Sequence, residues 1–312
     1  MSKVALVIVY NHQYNKNIEV LEDIYGERFS DIYHLVPFYT GEKRNVIPVY
    51  ENSYYFQGYI AQGYRSFYNS DFDHYLFVAD DLILNPTINE RNYTEYLKLS
   101  DRTCFLPGFI MLHECEKWWP RVGEAFRYRI KTPGVEAEKQ LPDYETALDL
   151  VNRFNLEIKP LKLNQIWRNP VSLYYSLEQI VTRRKTDVIN FIGSLMRNQF
   201  DLPYPMVGSY SDICVVSAES IKLFCHNCGV FAATNLFVEV ALPTAMILSA
   251  SEIVTEEDLE LKGKALWTEE DYKLLNNYNN DLDKLLEEFP QKYLYLHPIK
   301  LSKWRRQCEV LL

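Results

Sequence analysis

The chain has 312 residues, enough to bury a substantial core as one large domain or two small ones. Apolar residues make up 47% and charged residues 24%, and the net charge of -9 argues against a general nucleic-acid binder, which carries a basic footprint. A small anionic ligand held by a local basic pocket stays open, and 24 tyrosines supply aromatic faces with polar tips of the kind that suit sugars and interfaces.

Lys3 is followed by the apolar run Val4 to Tyr10. That run is too short to cross a membrane and lacks a cleavage pattern, so it predicts a buried first strand and no signal peptide. A helix is expected over Asn15–Tyr25, then strands over Ile32–Pro37 and Val46–Tyr50. Phe56, Tyr59, Ile60, Gly63 and Phe67 recur at helical spacing, which predicts a helix over Phe56–Tyr68 carrying Arg65. Tyr75 to Ala79 reads as a buried strand that ends abruptly in Asp80 and Asp81, with a second apolar run following at once. Two carboxylates there are costly unless something compensates them. A hard divalent cation takes carboxylate oxygens, and the C-terminal ends of strands in an α/β sheet are where ligands bind. The pair therefore points to a metal or a polyhydroxylated ligand at the mouth of a sheet. The plainer alternative is two solvated acids opening a turn.

Cys104 to Met111 predicts a further strand. Residues near 114–200 are punctuated by Trp118-Trp119-Pro120, Pro133-Gly134 and Pro142-Asp143, with helices expected over 143–154 and 172–196. They read as an insertion or lid rather than an independent domain. Tyr210 to Val216 is a short strand with Asp212 near its start, followed by helices over Ala218–Cys225 and Asn235–Ser249. Glu239 lies in the second of these, among Phe237, Val238, Val240, Ala241 and Leu242. A carboxylate in such a helix is paired, functional or on an exposed face. Cys225-His226-Asn227-Cys228 is a lone C-x-x-C. A zinc site would want a second pair, so the cysteines read as structural, with a redox pair as the alternative. The six cysteines have no framework spacing, and without a secretion signal they are expected to be reduced, mostly buried and cytoplasmic. Residues 252–288 are acidic with a helical pattern, which suits a solvated face. The chain closes with the apolar run Tyr293 to Leu296, then His297-Pro298-Ile299-Lys300. Strand and helix alternate overall, so the expected class is α/β, with a mostly parallel sheet covered by helices.

In arrangement these pieces resemble the nucleotide-sugar-dependent glycosyltransferases of the GT-A type. The resemblance rests on the first strand, the strand ending in Asp80-Asp81, the acid-bearing apolar helix and the late His-Pro-x-Lys segment. The bacterial polysaccharide and O-antigen transferases are the nearest group. It implies one Rossmann-related domain with a helical insertion: a nucleotide-binding half over 1–112, the insertion or lid over 113–204, and an acceptor half with a C-terminal segment over 205–312. It also implies a nucleotide-sugar donor, a saccharide acceptor, and Mn²⁺ or Mg²⁺ held on the diphosphate by an Asp-x-Asp-type motif. This chain reads Ala79-Asp80-Asp81 at that place, so the first acid is missing. Peripheral membrane association and oligomeric state are left open.

Transfer from a nucleotide diphosphate needs the leaving phosphates neutralised, by a metal or by Lys and Arg. Asp81, furthest past the strand end, is expected on the metal, and His297 is similar to the late histidine that completes the GT-A metal site. Asp80 is expected on the metal or on a ribose or sugar hydroxyl, and Lys300 on a phosphate. Tyr10 and Asn11 are expected at the base or ribose, Tyr10 by stacking, and Arg65 is expected to pair with a phosphate or with Asp81. An inverting enzyme also needs a general base. Glu239 is the first candidate and Asp212 the second, the latter alternatively holding acceptor hydroxyls. Two other classes compete. A non-catalytic binding or assembly module on a degenerate transferase fold is favoured by Ala79. A nucleotidyltransferase is disfavoured, because Asn11 to Asn15 offers no glycine for a triphosphate loop.

Overall fold

Every residue of the runs Val4–Val9 and His74–Ala79 is buried, so both must be covered on two faces. The computed structural model, which describes residues 3–114, 122–162, 192–194 and 196–306, sets them side by side at the middle of a sheet. Strands β1 (Val4–Val9), β2 (Asp31–Pro37), β3 (Val46–Val49) and β4 (His74–Ala79) pair in parallel, with β1 between β2 and β4. The two-residue β5 (Ile83–Leu84) leaves this sheet directly after the acids. Next come β6 (Thr103–Phe105) and an isolated antiparallel pair, β7 (Leu161–Lys162) with β8 (Gln199–Phe200). Strands β9 (Ile213–Ser217) and β10 (Glu252–Val254) complete a seven-stranded sheet in the order β10-β6-β9-β4-β1-β2-β3. Strand β9 runs antiparallel to both of its neighbours, β4 and β6. Strands β11 (Lys262–Ala265) and β12 (Tyr293–His297) join β5 in a small second sheet.

Successive side chains of a strand face opposite ways. Ala5, Val7, Val9, Tyr75 and Phe77 therefore enter one core and Leu6, Ile8, Leu76 and Val78 another. Helix α1 (Lys16–Tyr25) covers the second face with Ile18 and Leu21. Helices α2 (Gln57–Phe67), α3 (Tyr144–Arg153), α4 (Ile221–Ala233) and α5 (Val238–Ser249) belong to the first. Asp143 caps α3 by accepting a hydrogen bond from the Thr146 amide at 2.8 Å, satisfying one of the unpaired donors of a helix start. The described part of the 113–204 insertion packs into the first core through Ala125, Tyr128, Leu141, Ala147 and Tyr204. Trp118-Trp119-Pro120 and nearly all of the helix expected over 172–196 lie outside the described residues.

Three expectations change. The strand expected over Cys104–Met111 stops at Phe105, where Leu106 still donates to Val254 O but Pro107 has no N–H to continue the ladder. The helix expected over Ala218–Cys225 runs on to Ala233 and takes in the C-x-x-C, so Cys225 and Cys228 are buried free thiols whose ionisation burial opposes. Cys104 and Cys214 are likewise free and buried, and Cys115 and Cys308 lie outside the described residues. Residues 252–288, expected to be helical, contribute the short strands β10 and β11 in their first half, with helical segments at Glu256–Asp258, Glu269–Tyr272, Lys273–Tyr278 and Leu282–Glu287. Capping boxes at Thr255/Asp258 and Thr268/Asp271 start two of those segments. Among the described residues no helix is long and apolar enough to cross a membrane.

Candidate functional site

The direction of β9 decides what gathers at the end of β4. Because β9 runs antiparallel, its first residues lie at the same edge as the last residues of β4, and Ala79 N–H donates to Asp212 O at 2.8 Å. The apolar residues after Asp81 then pair with β12, Ile83 opposite Leu296 and Leu84 opposite Tyr295. That antiparallel return carries His297 back to the acids, and Ile299 N–H fixes the following turn by donating to Asp81 O at 2.6 Å. Helix α5 supplies Glu239 in its first turn, held by a hydrogen bond from Ser209 N–H to Glu239 O at 2.9 Å.

His297 Nε2 stands 3.1 Å from Asp81 Oδ1 and 3.6 Å from Asp212 Oδ1. The ring is buried, which disfavours its cation, but the Asp81 carboxylate and the charges of Asp212 and Asp80 outweigh burial and hold its pKa above the ordinary value. The Asp81 contact is an ion pair without hydrogen-bond alignment. Asp81 Oδ1 and, on the other side of the ring, His297 Nδ1 have no hydrogen bond among the described residues. Burial and the Asp212 charge push Glu239 up to about 8, against the opposing effect of His297. Burial first, and the Asp81 charge after it, raise Asp212 as well. Carboxylates this close in a poorly solvated place favour a proton, a cation or a ligand donor between them.

Asp80 has a different part from the one expected. It is only 2% exposed, with Oδ2 accepting from Asn17 Nδ2 at 3.1 Å and Oδ1 from Asn11 N–H at 3.4 Å. Burial and the neighbouring Asp81 charge push its carboxyl up to about 7. Asp80 ties the loop after β1 to the end of β4 and leaves Asp81 to face the site. Tyr10 is also displaced from its expected role. Its ring is wholly buried in the second core, and its hydroxyl meets His34 Nδ1 at 2.9 Å, so no base can stack on it. Asn11 stays at the mouth of β1, holding Asp80 through its backbone. Arg65 is at the far edge. It sits in the last turn of α2, and its neighbours Phe67 and Tyr68 lie against Tyr75 near the start of β4. Six strand residues, roughly 20 Å, separate that edge from Asp81. Lys300 is exposed on the turn that follows His297.

Two groups of residues at this edge escaped the sequence reading. Trp267 follows Leu266, whose amide donates to His297 O at 2.7 Å. Its indole N–H donates to the Tyr210 hydroxyl and its ring lies edge-on to the His297 ring at 6.2 Å. The signal was a tryptophan amid an acidic run. The second group lies past β1, β2 and β3, where Tyr14, Phe38 and Tyr50 are 50%, 56% and 61% exposed. Phe38 and Tyr50 meet edge to face at 5.7 Å, and Phe38 has φ 54°, an outlier for a bulky residue.

Oxygen donors and an imidazole are the right chemistry for a divalent cation, and Asp81 Oδ1 has its His297 ion pair but no hydrogen bond among the described residues. The spacing is that of an ion pair, however, and among the described residues no group of three His, Cys, Asp or Glu side chains is set to hold a metal ion. The chain matches no protein-family model and no curated protein.

Proposed function

We propose that the chain is a GT-A-type glycosyltransferase, moving a sugar from a nucleotide-diphosphate donor to a saccharide acceptor, in keeping with bacterial surface-polysaccharide synthesis. The observation that carries the reading is the convergence of Asp81, Asp212, His297 and Glu239 at the edge where β9 reverses beside β4. A crevice at the C-terminal ends of parallel strands, where strand order or direction changes, is the favoured ligand site of such sheets. In this reading the donor lies across the ends of β1 to β4, its base against Phe38 and Tyr50 in place of Tyr10. Asp81 and His297 would hold a divalent cation, which neutralises the leaving diphosphate when bound. Lys300 adds positive charge on the same turn. Glu239 takes the proton of the acceptor hydroxyl, with Asp212 beside it to hold that hydroxyl or to replace Glu239 as base.

A second reading has one observation in its favour. The direct Asp81–His297 ion pair suits a binding module on the same fold that has given up the cation. One experiment separates the two. Thermal unfolding is followed with nucleoside diphosphates, with and without Mn²⁺, in the wild type and in Asp81→Ala. A ligand that binds the folded state raises Tm by mass action. The transferase reading expects a Mn²⁺-dependent rise that Asp81→Ala abolishes, because removing a strand-end acid opens no core cavity. A rise that ignores both Mn²⁺ and Asp81 favours the module, and no rise with any nucleotide overturns the donor site.

A further inference from the structure

Arg65, displaced from the acid cluster, lies instead on a cleft of about 500 Å³ between α2, α4 and residues 135–140. The two helices meet here on small residues. A Cβ added to Gly229 would stand 3.2 Å from Ala61 Cβ, so the two helices are in close contact at the floor. That floor is Ala61, Gly229, Val230 and the buried Cys225, with Tyr64 as one wall. His226, the second residue of the C-x-x-C, donates from Nε2 to Gln140 O at 3.2 Å and so ties the covering segment to α4. The cleft has two exposed cations, Arg65 and Lys222, and neither has an ion-pair partner among the described residues. Glu136, the acid on the opposite wall, is already paired with Lys139 at 2.8 Å.

The cleft thus sets two cations beside an apolar floor. An anion in the cleft is attracted by both. We infer that this cleft binds a small phosphate monoester with an apolar or aromatic body. The phosphate sits between Arg65, whose planar fork matches phosphate oxygens, and Lys222, a point charge. The body rests on the floor beside Tyr64. The volume is within the usual range for small-molecule clefts. The site is at the opposite edge of the sheet from Asp81 and does not depend on the transferase reading.

Phenyl phosphate, inorganic phosphate and phenol are titrated calorimetrically into the full chain in EDTA, so that no cation bridges an anion to Asp81. Phenyl phosphate is expected to bind saturably, inorganic phosphate more weakly, and phenol not at all. Arg65→Ala and Lys222→Ala should each weaken phenyl phosphate by roughly tenfold or more, the usual worth of a charge-assisted hydrogen bond. Both side chains are exposed, so the variants keep the fold, which circular dichroism checks. Absence of saturable phenyl phosphate binding overturns the inference. So does binding that both substitutions leave unchanged, or phenol binding as tightly as its phosphate.

Discussion

Glu239 combines a buried position with a neighbouring negative charge, and the two together push its carboxyl up to about 8. A general base must be ionised to take a proton. Near neutral pH most of the population is therefore protonated, and with Glu239 as the proposed base, transfer should rise as pH climbs through about 8. Glu239→Gln keeps the shape, removes that limb of the rate–pH profile, and should lower turnover by roughly 10²–10⁴-fold. A Gln variant with the wild-type limb would pass the base role to Asp212, and Asp212→Asn is the variant that checks it. The acid was legible because a carboxylate in an apolar helix has few ways to be satisfied. Its neighbours were less so. Tyr10 and Phe38 each stand at a strand end in the sequence, yet one ring is fully buried and the other 56% exposed. The reason is tertiary, since Tyr10 faces His34 on the adjoining strand and Phe38 departs from β2 with a left-handed φ. Asp80 and Asp81 part company for the same kind of reason. Only the folded loop after β1 brings Asn11 and Asn17 to the first acid.

At the scale of elements, strands buried on two faces were the plainest signal, and β1 and β4 read correctly to within a residue or so. The first half of residues 252–288 did not, because β10 and β11 are short strands whose identity comes from their partners, β6 and β12, and not from their own mixed composition. Such a strand matters here because β12 positions His297. Gly263 on β11 lies against the Tyr295 ring of β12, where an added Cβ would stand 2.1 Å from Cζ. The ring is only 3% exposed and cannot swing aside. Gly263→Ala should therefore force β11 and β12 apart and cost about 1–3 kcal/mol, the range for overpacking a filled site. Urea unfolding measures the loss. Tyr295→Phe in the same background tests the cause, because removing the hydroxyl next to Cζ should recover part of it. An Ala variant as stable as wild type would show that the two strands are not in fixed register, and His297 would lose its anchor.

At the scale of the whole molecule, one line of buried groups runs through the second face of the sheet from the acid cluster to the surface. Asp80 raises the Tyr10 ionisation, after burial itself. Tyr10 bonds His34, and His34 Nε2 faces Glu22 Oε1 at 3.7 Å. Two groups on this line, His34 and Asp80, answer pH in opposite senses. Burial, the larger cause, lowers His34 from 6.5 to about 4. Between those values the unfolded chain binds a proton that the folded chain refuses, so stability falls as pH drops, by roughly 3 kcal/mol in total. Burial and Asp81 raise Asp80 from 3.8 to about 7. Between those values the folded chain holds a proton that the unfolded chain has lost, so stability falls as pH rises, by roughly 4 kcal/mol. From about pH 4 to 6.5 the two slopes oppose, and their sum in the wild type should be nearly flat. Asp80→Asn should unmask the histidine, giving a variant whose stability climbs through this window relative to wild type. His34→Gln should unmask the acid and give the opposite slope, whatever its overall height. Urea unfolding at stepped pH in EDTA reads both as difference curves, in which every unaltered group cancels. A flat Asp80→Asn difference curve would mean that Asp80 is ionised in the folded protein throughout this window.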